Sequence, residues 1–391
     1  MTLIGDYITR TWCRSWHQIA FLFAAILKTA GGIYYKSYLN IVHLGKSGNA
    51  DLVDPRGYLP HRSRCNKRPK YGDSCKYEEK VRGRWRGRTC RDGEVYSGAS
   101  CGCQIDWEAN QLKNNSDQWT KAQVVSQRKG YSNQNPVLFH DNKTDVLYLF
   151  HSQQEAKKAS AGIQSEDSAE IWVLSAKNVT NSTAIQFSPP RVMFKHKGSF
   201  DRNRVVVSLR NTWLYPMYYA GGSSKDQTSN LKECVDHDVF SSWLDHPFTA
   251  SNYLVQPSVV RPKKGNPRLI VFFRDRRAQN VYRAESPDDG KTWTRPSKTT
   301  LPNNNSGIEA SVLSSGNLAI VYNPTTKDRN PLSVSLSDDQ GITWKYTRNL
   351  EYTKSSNGVE FSYPTLFQDS SEAIGSTCVH KMRGKHIGDK D

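Results

Sequence analysis

No long amphipathic helix is evident in this chain of 391 residues, which argues against a helical bundle or an alternating helix and strand order. A run long enough to cross a bilayer is missing as well. The most apolar N-terminal stretch, residues 19–27, is nine residues long, against the ~20 that a spanning helix needs. It follows Arg10 and Arg14 and fits either the h-region of a signal sequence or a short buried helix. The eight cysteines contain no Cys-x-x-Cys pair, so the usual signature of a zinc knuckle is absent.

What the chain does hold is many short apolar runs separated by Gly, Pro, Asn and Asp. With 11% aromatic and 23% charged residues and a mean hydropathy of −0.70, this reads as one large all-β domain preceded by a leader. The formal charge is +17, and twelve Lys or Arg against three acids place a net +9 of it between residues 62 and 91. Such a segment attracts polyanions when ordered and is otherwise a solvated loop. Its Arg82-Gly-Arg-Trp-Arg-Gly-Arg88 run interleaves an aromatic with arginines, which suits polyanion contact, although no specific nucleic acid is implied. Cys65, Cys75, Cys90, Cys101 and Cys103 share this region and suggest a small disulfide-stapled module. Sequons at Asn114, Asn142, Asn178, Asn181 and Asn304 tilt the expected localisation to the secretory pathway, as a secreted, lysosomal or membrane-anchored protein.

A repeat organises the rest. Ser286-Pro-Asp-Asp-Gly-Lys-Thr-Trp293 and Ser337-Asp-Asp-Gln-Gly-Ile-Thr-Trp344 share one pattern, with starts 51 residues apart. Asp288 and Asp339 can cap a turn, Gly290 and Gly341 can supply a positive φ, and Trp293 and Trp344 can pack between sheets. Strand-like runs recur in the same order around each corner. Five first strands open at Asn135, Asn203, Gln256, Glu309 and Tyr363, at intervals of 68, 53, 53 and 54 residues. In a propeller the first strand of each blade is innermost, so these five side chains are expected to ring the mouth of a central channel. The expected fold is an all-β, six-bladed β-propeller, complete or incomplete, with an N-terminal basic Cys-rich extension. Residues 1–40 form the leader, 41–105 the Cys-rich region or a divergent first blade, and 106–391 the propeller.

The corners resemble the Asp boxes of the sialidase (neuraminidase) family, and the resemblance runs from about Trp119 to about Gln368. Phe273-Arg-Asp-Arg-Arg277, the 301–309 run, Tyr322-Asn-Pro324 and Phe361-Ser-Tyr-Pro364 are similar to its BNR-repeat branch. The resemblance implies a retaining exo-sialidase acting on terminal sialic-acid-type sugars, or a non-catalytic propeller binding acidic glycans. It implies no cofactor or metal, and a monomer is expected. Family members hold the substrate carboxylate with three arginines, for which bidentate guanidinium is the best-matched clamp. They attack with a tyrosine, which the carboxylate does not repel as it would a carboxylate nucleophile. Carried over, the second arginine falls at Arg274, with Arg276 or Arg277 as a substitute, the third at Arg329, and the nucleophile at Tyr363. Where the family has a glutamate, this chain has Gln256, which cannot act as a base. Glu309, one blade on, takes that role or accepts a sugar hydrogen bond. The first arginine and the acid/base aspartate have no match before Trp119.

Overall fold

The computed structural model describes residues 123–128, 130–155, 165–180, 185–354 and 359–368. Ahead of and behind these it describes the backbone of separate strands. Four sheets of antiparallel strands follow one another. Blade I comprises Tyr131–Asp141, Val146–Glu155, Glu170–Lys177 and Arg191–Phe194. Blade II comprises Ser199–Asp201 with Val206–Val207, then Trp213–Tyr219, Thr228–Cys234 and Leu244–Pro247. Blade III runs Leu254–Val260, Leu269–Asp275, Asn280–Ser286 and Ser297–Pro302. Blade IV runs Glu309–Val312, Leu318–Tyr322, Leu332–Ser337 and Tyr346–Glu351. Glu360–Gln368 follows and pairs with Ile374–Lys381. Among the described residues the one helical element is the 3-10 turn Ser165–Ser168.

The core lies between blades. One apolar layer joins Phe150 and Ile171 of blade I to Trp213 and Tyr215 of blade II. A second joins Leu214 and Leu231 to Leu254 and Phe273, and a third joins Ile270 and Phe272 to Ala310 and Ile320. Strands covered on both faces need no apolar–polar alternation. Accordingly Leu254–Val260 and Leu269–Asp275 are buried throughout, whereas the outer strand Tyr346–Glu351 is mostly exposed.

The two repeated corners lock each blade to the one before. Asp339 Oδ1 accepts the Thr343 amide at 2.9 Å, and Ser337 Oγ accepts the Gly341 amide at 2.8 Å. Asp288 and Ser286 do the same for Thr292 and Gly290, both at 2.8 Å. Gly341 sits at φ +82, and a Cβ there would lie 2.6 Å from the Phe272 ring of blade III, so conformation and packing both demand glycine. Trp344 then meets Phe272 edge-on, with ring centroids 5.8 Å apart.

A second device recurs at the inner strands. Asn135, Gln256 and Tyr363 have φ of 51°, 53° and 51°, and each precedes a proline. The strand register slips at each of these positions. A left-handed residue before proline is unfavourable in isolation, so three copies at one end of the inner strands mark a place where strain is held for a purpose.

Blade II departs from the expected template. In place of one strand from Asn203, pairing is split between Ser199–Asp201 and Val206–Val207. Residues 202–204 between them send their side chains to other blades instead of continuing the ladder.

Ahead of blade I, Leu22–Ala30, Ile33–His43, Trp107–Gln111 and Gln123–Ser126 form a four-stranded sheet. The apolar stretch expected as signal or helix therefore overlaps a strand. Inserted between the second and third of these strands, Lys67–Lys70, Asp73–Val81 and Arg84–Thr89 pair as a three-stranded sheet. The cysteine side chains of 65–103 lie outside the described residues. No described helix is long and apolar enough to cross a membrane.

Candidate active site

Tyr363 stands at the centre of the mouth. Its inner-strand bulge turns the phenol toward a set of arginines drawn from three blades. Arg274 ends the second strand of blade III and donates from Nη1 to the Tyr363 oxygen at 3.3 Å. Its remaining described bonds go to neutral groups, Gln256 Oε1 at 3.1 Å and Asn305 Oδ1 at 2.9 Å. The expected clamp residue Arg329 reaches the same ring, its guanidinium carbon 5.1 Å from the centroid, and also meets Glu360 at 3.6 Å. Arg202 approaches at 5.5 Å and holds the bulge itself, donating to the Pro364 carbonyl at 2.8 Å. Gly307 makes this convergence possible, because a Cβ there would lie 2.6 Å from Arg202 Nε and 2.9 Å from Tyr363 Cδ1.

The electrostatics follow from this crowding. Arg274 lowers the phenol's proton affinity most, burial opposes it, and Arg329 and Arg276 add to the lowering, bringing Tyr363 down to about 7. Arg274 and Arg202 are themselves pulled below their ordinary value by burial, an effect Tyr363 partly offsets. Such a site favours a planar anion that can accept bidentate bonds.

The other expected residues divide. Gln256 lies in the mouth, accepting from Arg274 and donating to the Tyr218 hydroxyl at 3.4 Å. Asn135 reaches that same hydroxyl at 3.5 Å. Asn203 points elsewhere. Its amide donates to the carbonyls of Gln256 and Pro257 at 2.9 and 3.1 Å, tying blade II to blade III instead of facing a ligand. Glu309 has no described bond to Tyr363. Arg204 holds its carboxylate from Nε and Nη2 at 2.8 and 2.6 Å, so the role of base expected of it has no contact behind it. Arg277 is likewise turned away, bonded to Asp275 at 2.7 Å and stacked near Tyr253 and Tyr282. Its neighbour Arg276 faces the mouth, donating to Gln227 at 2.7 Å.

Arg202, Arg204, Tyr218 and Asn305 escaped the repeat-based reading. Blade II lacks the proline that marks the other bulges, so the template aligned Asn203 with the ring while its two neighbours supply the reaching guanidiniums. Asn305 sits in the 303–305 asparagine run at φ 59°, and the triple itself was the available signal. Among the described residues no cluster of His, Cys, Asp and Glu is arranged to hold a metal.

Comparison with known proteins places this site in context. The family described as BNR repeat-like domain matches residues 105–376. No curated protein matches the chain. Among solved structures, the intramolecular trans-sialidase of Ruminococcus gnavus aligns with a TM-score of 0.56 at 10% identity, covering 91% of this chain and 89% of that one. The leech intramolecular trans-sialidase aligns at 0.57 and 10%, covering 91% and 64%. A Hadza microbial sialidase aligns at 0.55 and 15%, covering 78% of this chain and 61% of its own length. The chain thus spans about three-fifths of that enzyme, and identities this low speak for the fold alone. With four consecutive blades, two repeated corners and a family match over most of its length, the chain belongs to the BNR repeat-like family and folds as successive blades of a β-propeller.

Proposed function

We propose that this protein is a sialidase-type glycoside hydrolase acting on terminal sugars that carry a carboxylate, with sialic acids as the substrate class. Arg274 and Arg329 clamp the carboxylate, with Arg202 and Arg276 adding positive potential. The Tyr363 oxygen forms a bond to the anomeric carbon as the glycosidic carbon–oxygen bond breaks, the departing alcohol takes a proton from water, and a water molecule then hydrolyses the tyrosyl–sugar bond to free the sugar and Tyr363. The observation that carries this reading is the donation of Arg274 to the Tyr363 oxygen, with two further guanidiniums within 5.1 and 5.5 Å of the ring. A phenol is a poor nucleophile at its ordinary value of about 10. One that ionises near 7 serves without the base that Gln256 cannot be.

A ring of six blades suits this role. In its favour, the strand Leu22–Ala30 lies against both Tyr131–Asp141 and Glu360–Gln368. Sialylated glycoconjugates met in the secretory pathway are the expected partners. Asn142 and Asn178 are exposed and suit glycosylation, whereas Asn304 is buried, its amide donating to the Asp328 carbonyl. The basic 62–91 segment is proposed to add polyanion contact.

Gln256 favours a second reading, a lectin-like propeller that binds the same acidic sugars without turnover. Release of a fluorophore from a sialoside separates the two. Hydrolysis that falls roughly 10^3-fold or more in Tyr363→Phe establishes the enzyme. No turnover, together with sialoside binding that Arg329→Ala abolishes, establishes the lectin. If neither turnover nor binding is seen, both readings fail.

A further inference from the structure

The arginine mouth has a charge problem that Gln256 leaves unsolved. Charged groups reach Tyr363 from every side: Arg274 and Arg276 from blade III, Arg202 from blade II, and Arg329 from the segment ahead of the third strand of blade IV. Three carboxylates lie near. Glu309 is bonded to Arg204, Glu360 meets Arg329 at 3.6 Å, and Glu166 stands 3.9 Å from Arg276 at the rim. Arg274, at 4% exposure, makes no described bond to a carboxylate, whereas Arg202, at 7%, has the charge of Glu309 as its strongest favourable partner. Buried guanidiniums without a counter-charge are costly by several kcal/mol. The group that Arg274 touches and that can become negative is the phenol of Tyr363.

We infer that Tyr363 is the resident counter-charge of this mouth, so that an incoming carboxylate or sulfate displaces its negative charge and binding is accompanied by uptake of one proton from solvent onto the Tyr363 oxygen. This rests on the reading of the mouth as an anion site and adds what the site exchanges for its ligand. Gln256 is the determinant. Its neutral amide bridges Arg274 and Tyr218, where a carboxylate would satisfy Arg274 and leave the phenol protonated. The ionisation of Tyr363 at about 7 accords with this geometry.

Linkage fixes the sign. Below that midpoint the phenol already holds its proton and anion affinity is constant. Above it, ligand and phenolate compete for the same arginines, and affinity falls by up to about tenfold per pH unit. Once bound, the anion neutralises the arginine field, so the phenol's midpoint rises, and attack on a bound sugar draws on the fraction of Tyr363 that returns its proton to solvent.

Near-ultraviolet absorbance of phenolate, titrated between about pH 5 and 9 on the full chain, tests this. The expected result is one tyrosine titrating near 7, absent in Tyr363→Phe, whose midpoint moves up by about one unit or more in inorganic sulfate. Gln256→Glu is expected to move it up without any added anion. Absence of a titration below about 9, or a midpoint that sulfate leaves in place, overturns the inference. The sulfate arm uses the wild-type chain, so it stands even where a variant does not fold. If sulfate moves the midpoint and N-acetylneuraminic acid does not, the sialic-acid reading fails and the proton exchange stands. If the sialoside is cleaved although no tyrosine of the free protein titrates below about 9, the proton exchange fails and the sialic-acid reading stands.

Discussion

Two tyrosines of this protein, Tyr363 and Tyr215, sit against charged partners of opposite sign. Tyr363 accepts a bond from Arg274 and is brought down to about 7. Tyr215, wholly buried between blades I and II, donates to Asp201 Oδ2 at 2.7 Å, and burial together with that carboxylate pushes its phenol well above 10. One phenol gives up its proton near neutrality and the other holds it. The difference lies in what surrounds the ring: a mouth crowded with guanidiniums against a closed apolar layer holding a single acid. Reactivity here is a property of the blade end, not of the residue type.

The largest effect that can sharpen this contrast lies at the acid. Burial raises Asp201 to about 7, although Ser152 and Tyr215 donate to it. Its folded value exceeds its unfolded one, so this contribution is fully present below about 4 and is lost as the pH rises to 7. A shift from 3.8 to about 7 corresponds to on the order of 4 kcal/mol. His151 next door runs the other way. Buried beside Ser126 at 2.9 Å, it is lowered to about 4, so its contribution is present above 6.5 and is lost as pH falls toward 4. The two slopes nearly cancel in the native protein. Asp201→Asn, whose carboxamide resembles the neutral acid, is expected to remove one of them. Denaturant unfolding should then show stability that rises with pH from about 4 to 7 in the variant and changes little in the parent. Parallel curves would mean that Asp201 is already ionised in the fold and that the contrast between the two phenols is overstated.

At the mouth the sharpest probe is steric. Gly307→Ala would set a Cβ 2.6 Å from Arg202 Nε and 2.9 Å from Tyr363 Cδ1. Either the guanidinium or the phenol must move. Overpacking of this kind costs roughly 1–3 kcal/mol in stability. Displacing the clamp is expected to weaken sulfate or sialoside binding by about tenfold or more, since a charge-assisted bond is worth ~1.5–3 kcal/mol. Calorimetric binding by the variant at parental affinity would show that the packing of Arg202 on Tyr363 does not set the geometry of the site.

How much of this was legible in the sequence depended on what punctuates the chain. The corners at Asp288 and Asp339 were legible because their chemistry is local: a carboxylate, a glycine and a tryptophan within eight residues. Gln256 and Tyr363 were legible because intervals of 53 and 54 residues, by way of Glu309, place them at equivalent strand openings. Arg202 and Arg204 were not, since their partners Pro364 and Glu309 lie more than a hundred residues away. Glu309 shows the same limit from the other side. Its place in the repeat was right, but its partner Arg204 is set by a kink in blade II that no local pattern announces.

The smallest effect isolates the phenol–acid bond itself. Tyr215→Phe keeps the ring among Phe150, Phe194 and Trp243 and deletes only the hydroxyl that donates to Asp201. While Asp201 is neutral, below about 7, a bond between neutral groups is lost, at about 1 kcal/mol. Above that value the bond is charge-assisted, and its loss is worth about 2 kcal/mol. The variant's deficit in unfolding free energy should therefore grow as the pH is raised through 7, and the acid should hold its proton to higher pH than in the parent. A deficit that is the same on both sides of neutrality would show that Asp201 keeps one charge state throughout. If that state is the neutral acid, the inertness of Tyr215 comes from burial, and if it is the carboxylate, the charge of Asp201 adds to it at every pH.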